Sequence, residues 1–326
     1  MALPNNKKLS ILYILEVLKE YSDENHLLTQ ENIINKIYSD YGMECERKSI
    51  SSNIDSLIDF GYDIIKTKNG CYLNSREFEN SEIQFLIDAV FSSKSISSKH
   101  CKDLSNKLSS FLSKHQRKQY NYIYKADDIN RTDNKQLFYT IDVLNEAIKE
   151  GKQVEFTYSK IYLDESKKKS KTYLINPYFL VNNQGRYYLV CNYDYYDTIA
   201  NYKVDKIENI KLLETSAKPI TKLKGCENGI DIAKYANENI YMFSNDGINA
   251  TIKIDDENII NYVVDWFGKN AKLYKKENDI YADIKTNEQA LIYWCLQYGE
   301  GVEVVEPISL REKMKSIVSK INEKYN

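Results

Sequence analysis

Apolar residues recur with a helical period along the first sixty positions. Ile11, Ile14, Leu15 and Leu18 fall at i, i+3, i+4 and i+7, which predicts an amphipathic helix over residues 8–21. Thr29 suits the N-cap of a second helix, because its hydroxyl accepts an orphan backbone N–H. Glu31 follows in the first turn, where the dipole favours an acid, and Ile33, Ile34 and Ile37 form the apolar face up to Tyr41-Gly42. A third helix over 49–60 turns Ile50, Ile54, Leu57 and Ile58 inward. The period then drops to two: residues 62–67 and 71–73 alternate around Lys68-Asn69-Gly70, and Asn-Gly between such runs is a strong hairpin signal. Three helices followed by a hairpin predict a winged helix-turn-helix over residues 1–75.

Residues 76–151 read as a helical connector. Ser81 caps a helix carrying Ile83, Leu86, Ile87 and Val90, and a polar break at 92–98 precedes a helix over 102–112 with Leu104, Leu108, Phe111 and Leu112. A further helix over 137–149 turns Ile141, Leu144 and Ile148 inward and ends at Gly151. Residues 152–216 switch to strands: Val154, Phe156 and Tyr158 alternate with polar neighbours, and the runs 173–181 and 186–193 flank the loop Asn182-Asn183-Gln184-Gly185, with shorter runs at 202–204 and 207–213. Pro219 and the glycines at 225 and 229 mark a linker. Residues 217–326 then give strand 248–254, helix 258–267, strands 271–275 and 280–285, helix 288–298, strand 302–305 and a terminal helix over 309–325. This is the βαββαβ order of a ferredoxin-like split sandwich, with Trp266 and Trp294 on apolar helical faces. The fold class is α+β and multidomain.

Composition narrows the function. A length of 326 residues favours several domains, and 45 basic against 47 acidic residues leave any nucleic-acid binding to local patches. No apolar run reaches a membrane span and the opening MALPNNKKLS is no signal peptide, so a cytoplasmic protein without membrane contact is expected. Six scattered cysteines form no CxxC pair, and His26, His100 and His115 pair with no ligand-spaced Cys, Asp or Glu. Gly299-Glu300-Gly301 precedes a strand instead of cradling a phosphate ahead of a helix. No enzyme activity, metal or cofactor is expected.

The candidate chemistry is recognition of nucleic acid. Arg47, Lys48, Ser49, Ser51, Ser52 and Asn53 point outward at the start of the third helix, where a recognition helix contacts bases and phosphates, and Lys66 and Lys68 sit on the hairpin. Lys99, Lys102, Lys107, Lys114, Arg117 and Lys118 face a single acid, Asp103; the run is either a solvated helix face or a flank for DNA. Around a lysine-rich loop at 164–171, Lys171, Lys203 and Lys206 are interleaved with Tyr158, Tyr188 and Tyr202. Cations for phosphates beside rings for bases are the two ingredients of single-strand recognition. Strand alternation puts Tyr187 and Tyr188 on opposite faces and leaves open which of them is core.

Three motifs in order resemble the WYL domain family. Ile175-Asn176-Pro177 matches its apolar-x-Pro opening, Tyr187-Tyr188-Leu189 stands where the name-giving Trp-Tyr-Leu would be, and Tyr202-Lys203-Val204-Asp205-Lys206-Ile207 matches its close. Ser49-Ile50-Ser51-Ser52-Asn53-Ile54-Asp55-Ser56-Leu57, then Gly61 and Gly70-Cys71-Tyr72-Leu73, resembles the DeoR-type winged helix that usually precedes WYL domains. Ser51 and Ser52 replace common arginines there, and Asn53 replaces a common acid. Asp265-Trp266-Phe267-Gly268, Tyr293-Trp294-Cys295-Leu296-Gln297-Tyr298-Gly299 and Val302-Glu303-Val304-Val305-Glu306-Pro307 with Leu310-Arg311 resemble the WYL C-terminal extension. The resemblance implies an SH3/Sm-like WYL β-barrel sensing a ligand, often a nucleic-acid piece, inside a bacterial transcription factor. Lys203 and Lys206 occupy two basic positions of the family's groove, and Ala200 stands at a third that is often Arg; lysine in place of arginine removes bidentate phosphate forks. It further implies a homodimer on a palindromic double-stranded operator, repression released by an oligonucleotide or nucleotide effector, and targets among phage-defence or DNA-damage genes. The competing reading is a non-regulatory accessory protein whose barrel binds RNA or single-stranded DNA and whose helix-turn-helix mediates assembly.

Overall fold

The computed structural model describes residues 7–120, 132, 134–158, 171–243, 247–268 and 271–326, with the side chains of Lys7 and Gln119 outside the description. The lysine-rich loop, apart from Lys171, lies outside the described residues. The chain divides into two compact units, Met1–Asp133 and Asn134–Asn326.

The first unit opens with α1 (Ser10–Tyr21), α2 (Gln30–Tyr41) and α3 (Arg47–Phe60), followed by β1 (Ile64–Thr67) and β2 (Gly70–Leu73). Thr29 caps α2 as expected: its hydroxyl accepts the Asn32 N–H at 3.1 Å while Asn32 Oδ1 accepts the Thr29 N–H at 3.0 Å, and Gly42 closes the helix in the left-handed region. Ile14, Leu15, Val17, Leu18, Ile33, Ile37, Ile50, Ile54 and Leu57 make the core. Ile58 is exposed instead of inward. Eight residues on from Ile50 is about 80° round the helix, at the edge of the buried stripe. The hairpin turn is Lys68-Asn69, and Leu28 adds a rung by exchanging backbone hydrogen bonds with Cys71, both at 2.9 Å.

Three further helices follow among the described residues of this unit: α4 (Asn80–Ser92), α5 (Ser98–Ser109) and α6 (Lys114–Arg117). The cap of α4 is Glu79, not Ser81, because Glu79 and Glu82 satisfy each other's backbone N–H groups in a capping box. The expected polar break at 92–98 is partly interior, with Ser95, Ile96 and Ser97 buried. On α5 the buried stripe is Cys101, Ser105 and Ser109, and Phe111 beyond it is exposed.

The second unit begins with α7 (Leu137–Glu150), which stops at Gly151 (φ +62°) and packs on the strands that follow. These are β3 (Lys152–Tyr158), β4 (Lys171–Asn183), β5 (Arg186–Asn192), β6 (Ile199–Lys203) and β7 (Ile207–Ser216), an antiparallel sheet in the order β6-β5-β4-β3-β7. The β4–β5 connection is tighter than expected: only Gln184 and Gly185 remain outside the strands, both at positive φ, the conformation a two-residue hairpin turn requires.

The closed barrel implied by the resemblance is not formed. β6 and β7 stand at opposite edges of an open sheet. They are consecutive, joined by the single 3-10 turn Val204–Lys206, which carries the chain from one edge to the other. The sheet nevertheless curls strongly. β4 pairs with β3 through its first half and with β5 through its second, with a bulge between Pro177 and Phe179, where a residue lacking an N–H is tolerated. Rings on non-adjacent strands therefore meet, Tyr158 of β3 lying 4.9 Å from Tyr202 of β6 between centroids.

After a short helix that the sequence did not suggest, α8 (Ile232–Glu238), come β8 (Gly247–Ile254), α9 (Ile259–Phe267), β9 (Ala271–Lys276), β10 (Asp279–Asn287), α10 (Glu288–Gln297), β11 (Val302–Glu306) and α11 (Ile308–Tyr325). This is the expected βαββαβ order, on an antiparallel sheet arranged β11-β8-β10-β9. Trp294 is fully buried beside Phe267, and Trp266 packs on the same core.

Candidate functional site

In the first unit, Arg47, Lys48, Ser49 and Ser52 are exposed at the start of α3, and Ser51 is half-buried. Arg47, Ser51, Lys66 and Lys68 line one groove of about 420 Å³ between the helix starts and the hairpin, with Thr29 and Glu31 on its α2 side. Two of these cations are matched by acids: Arg47 lies 3.4 Å from Glu31, and Lys66 pairs with Asp55. Asn53 is turned inward, its amide donating to the Ser10 hydroxyl at 3.0 Å and the Ser49 hydroxyl at 3.3 Å, so it fixes the start of α3 against α1. Gly70 brings the hairpin backbone against Leu28: a Cβ there would meet the Leu28 carbonyl oxygen at 2.7 Å.

In the second unit, the six residues singled out from the sequence fall into two sets. Tyr202 sits among Phe156, Tyr158, Tyr173 and Tyr193, with centroid separations of 5.4, 4.9, 5.3 and 6.3 Å, and the Lys171 ammonium lies 5.4 Å from the Tyr173 centroid. The contacts of Tyr202 are those of a packing residue. Lys203 is the next residue on β6, so its side chain leaves the opposite face, where its partner in register is Tyr188. Tyr188 also packs against Val181, Val190 and Met242, which places it beside the cation. Tyr158 reaches across from the end of β3: burial pushes its hydroxyl up to about 12, opposed by a hydrogen bond from the Lys203 backbone.

A residue that sequence reasoning missed completes the second set. Arg186 precedes Tyr188 by two on β5 and so shares its face, and its guanidinium lies 3.6 Å from Asp205, whose side chain is 6% exposed. The signal was present in Arg186-Tyr187-Tyr188, but only knowledge that Tyr188 faces the lysines would have picked it out. Burial raises the Asp205 carboxyl above the ordinary carboxylate range against the pull of Arg186, Lys203 and Lys206. Burial, then repulsion from Arg186 and Lys206, lowers the Lys203 ammonium. Arg186 thus pairs with a buried carboxylate that Lys203 and Lys206 flank in the chain, next to two half-buried tyrosines.

Two family models match stretches of the second unit. The WYL domain model matches residues 139–212 and the WCX domain model residues 246–321. Among solved structures, the chain is similar to proteasome accessory factor B/C (PafBC) of Arthrobacter aurescens, at 14% identity and TM-score 0.30. That match covers 97% of this chain but 49% of the other, so this chain spans about half its length. A CRISPR Cas-related protein is similar at 15% identity and TM-score 0.39, covering 97% of this chain and 85% of that one. No curated protein matches the sequence. Among the described residues no helix is long and apolar enough to cross a membrane. With a WYL domain matched over the curled sheet and a WCX domain over the C-terminal sheet, the chain is a WYL-domain protein.

Proposed function

We propose that this protein is a homodimeric, sequence-specific DNA-binding transcriptional regulator, acting as a repressor, whose WYL domain senses a nucleic-acid fragment or nucleotide. In this reading it is a binding protein and not an enzyme. The observation that carries it is the Arg186–Asp205 pair, with Lys203 opposite Tyr188 in register and Lys206 next to Asp205 in the chain. These cations, partly shielded from water, repel one another, and an anion seated there relieves that repulsion. The adjacent rings offer a base a stacking surface.

α1 to α3 and the hairpin act as a winged helix-turn-helix on a palindromic operator, with Arg47, Lys48, Ser49, Ser51, Ser52, Lys66 and Lys68 toward the duplex. The groove flanked by Arg47, Lys66 and Lys68 supports this reading. Ser51 and Ser52 carry no charge, so the salt dependence of operator binding is shallow. Release of DNA requires the effector to favour the DNA-free state; a 100-fold effect needs about 2.7 kcal/mol of differential affinity.

Fluorescence titration of the full chain with short oligonucleotides and cyclic nucleotides tests the sensor. Lys203→Ala combined with Lys206→Ala is expected to lose binding, and a double variant that binds every probe as well as the parent removes the groove from consideration. For the reader, Ser52→Glu is expected to abolish the mobility shift of promoter fragments while the protein stays folded. An unchanged shift would take α3 out of the interface.

A further inference from the structure

Away from both sites, two histidines far apart in sequence stack face to face. His26 closes the turn between α1 and α2, where it and Asp23 exchange backbone hydrogen bonds at 3.0 and 3.2 Å; His115 lies on α6. Their ring centroids are 3.6 Å apart with the planes 6° from parallel. His26 Nδ1 is 2.7 Å from Asp23 Oδ1, and the other oxygen of that buried carboxylate accepts the hydroxyl of Ser113, the N-cap of α6, at 2.8 Å. One carboxylate therefore holds both the turn and the start of the helix, and the imidazole stack is the contact next to it. Further along α6, Arg117 pairs with Glu20 of α1.

We propose that this pair is a pH-sensitive clamp: α6 stays docked on the α1–α2 turn while at most one imidazole is charged, and is released when both are. A single imidazolium is accommodated, because it lies against a neutral ring and one ring is bonded to Asp23. A second proton places two like charges face to face. The charges around the stack are mixed: Lys114 of α6, Lys118 just after it, Lys36 of α2 and Arg76 after β2 are positive, whereas Asp23, shared with Ser113, and Glu24 and Glu79 lining the cleft of about 420 Å³ beside the rings are negative. The repulsion that matters is therefore the direct one between the two stacked rings. Arg117 is matched by Glu20.

The sign follows from the two states. Burial first, and then repulsion from His26, holds the His115 imidazole below the ordinary histidine range in the docked form. Once released, it titrates near the ordinary value of about 6.5. The released form therefore binds the proton more tightly, so docking is at full strength above that value and weakens as pH falls through it. Asp23 does not titrate in this window: although burial opposes it, hydrogen bonds from His26 and Ser113 keep its carboxyl below the usual range.

Amide hydrogen exchange of the full chain at pH 7.5 and 5.5, corrected for the intrinsic rate, tests the clamp at residues 113–118. Protection there is expected to fall at least about threefold on acidification while that of α9 holds. His115→Phe keeps a ring for stacking and takes no proton, and is expected to keep its protection at both pH values. Unchanged protection in the parent, or an equal fall in His115→Phe, overturns the clamp. Should His115→Phe fail to fold, the ring resonances of His115 in the parent decide: a titration midpoint at or above that of an ordinary histidine overturns the clamp, and one below it supports it.

Discussion

Replacement of Arg186 by alanine isolates the balance of charge in the WYL domain. Its guanidinium lies 3.6 Å from a carboxylate whose side chain is 6% exposed, while Arg186 is itself 30% exposed. At an effective dielectric of about 20, unit charges at that distance attract by roughly 4–5 kcal/mol. Not all of this is lost, since Lys203 and Lys206 still face Asp205 and the variant no longer dehydrates a guanidinium; a net loss of about 2 kcal/mol is expected. The pH dependence is distinctive. Burial already raises the Asp205 carboxyl, so the native state binds its proton more tightly than the unfolded chain does, and the cost of the ionised form sets in as pH rises. Arg186 is the strongest influence opposing that rise, so Arg186→Ala should be destabilising at pH 7.5 and much less so near pH 4.5. Urea unfolding followed at Trp266 and Trp294, both in the second unit, measures this. An equal loss at the two pH values, or parental stability at pH 7.5, refutes the charge balance described here.

Two other substitutions probe the scaffold. Gly70→Ala places a Cβ 2.7 Å from the Leu28 carbonyl oxygen at a φ of +140°, and is expected to cost about 2–4 kcal/mol of thermal stability in the first unit; a cost under about 0.5 kcal/mol would mean that the hairpin does not close on Leu28. Asn176→Ala empties the centre of a buried network in which the side-chain oxygen accepts from Gln153 at 3.0 Å and the Lys218 N–H at 2.9 Å, while the amide donates to Asp194 at 2.7 Å. About 3–5 kcal/mol is expected by denaturant unfolding, and an alanine variant of parental stability would show that these groups find other partners without cost.

The periods of two and 3.6 made most elements legible, because one-sided burial writes itself into spacing. Ile14, Leu18, Ile33, Ile37, Ile50 and Ile54 are all buried where the pattern put them. Spacing failed where local chemistry competes with it. The cap of α4 went to Glu79 instead of the expected Ser81, because Glu79 and Glu82 form a reciprocal capping box two residues earlier. Of the proposed ligand residues, motif positions pointed to Lys203 and Lys206, whereas nothing in the spacing pointed to Arg186, whose place beside Asp205 depends on how the sheet curls. Tyr202 stands in the same motif as Lys203, and in sequence an aromatic there looks the same whether its ring packs or binds; in the structure it packs among four other rings. Only alternation on a strand of known register separates it from Lys203. The expected closed barrel failed for a related reason: the motifs specify which strands pair, but whether the edges meet depends on the 3-10 turn between β6 and β7.

The curled sheet of the WYL domain is also tied to the segment that leads into the WCX domain inside the same unit. The face bearing Lys203 and Tyr188 is tied to the segment leading into the second sheet by three side-chain amides: Asn183 donates to the Asn239 carbonyl at 3.2 Å, Gln184 to Ile240 at 3.2 Å and Asn201 to Met242 at 3.2 Å. Met242 is a non-glycine residue at φ +54°, a conformation that costs about 1–3 kcal/mol and persists only when its surroundings enforce it. Here the enforcing contacts are the amide from Asn201 and a buried seat against Val181 and Val190, with Tyr188 packed on the same cluster. Tyr188 therefore belongs both to the cation cluster and to the seat of Met242. Under the proposed function, a base stacked on that ring would bear on the side chain that seats Met242, so occupancy of the cationic site would be felt in the segment that leads into the second sheet.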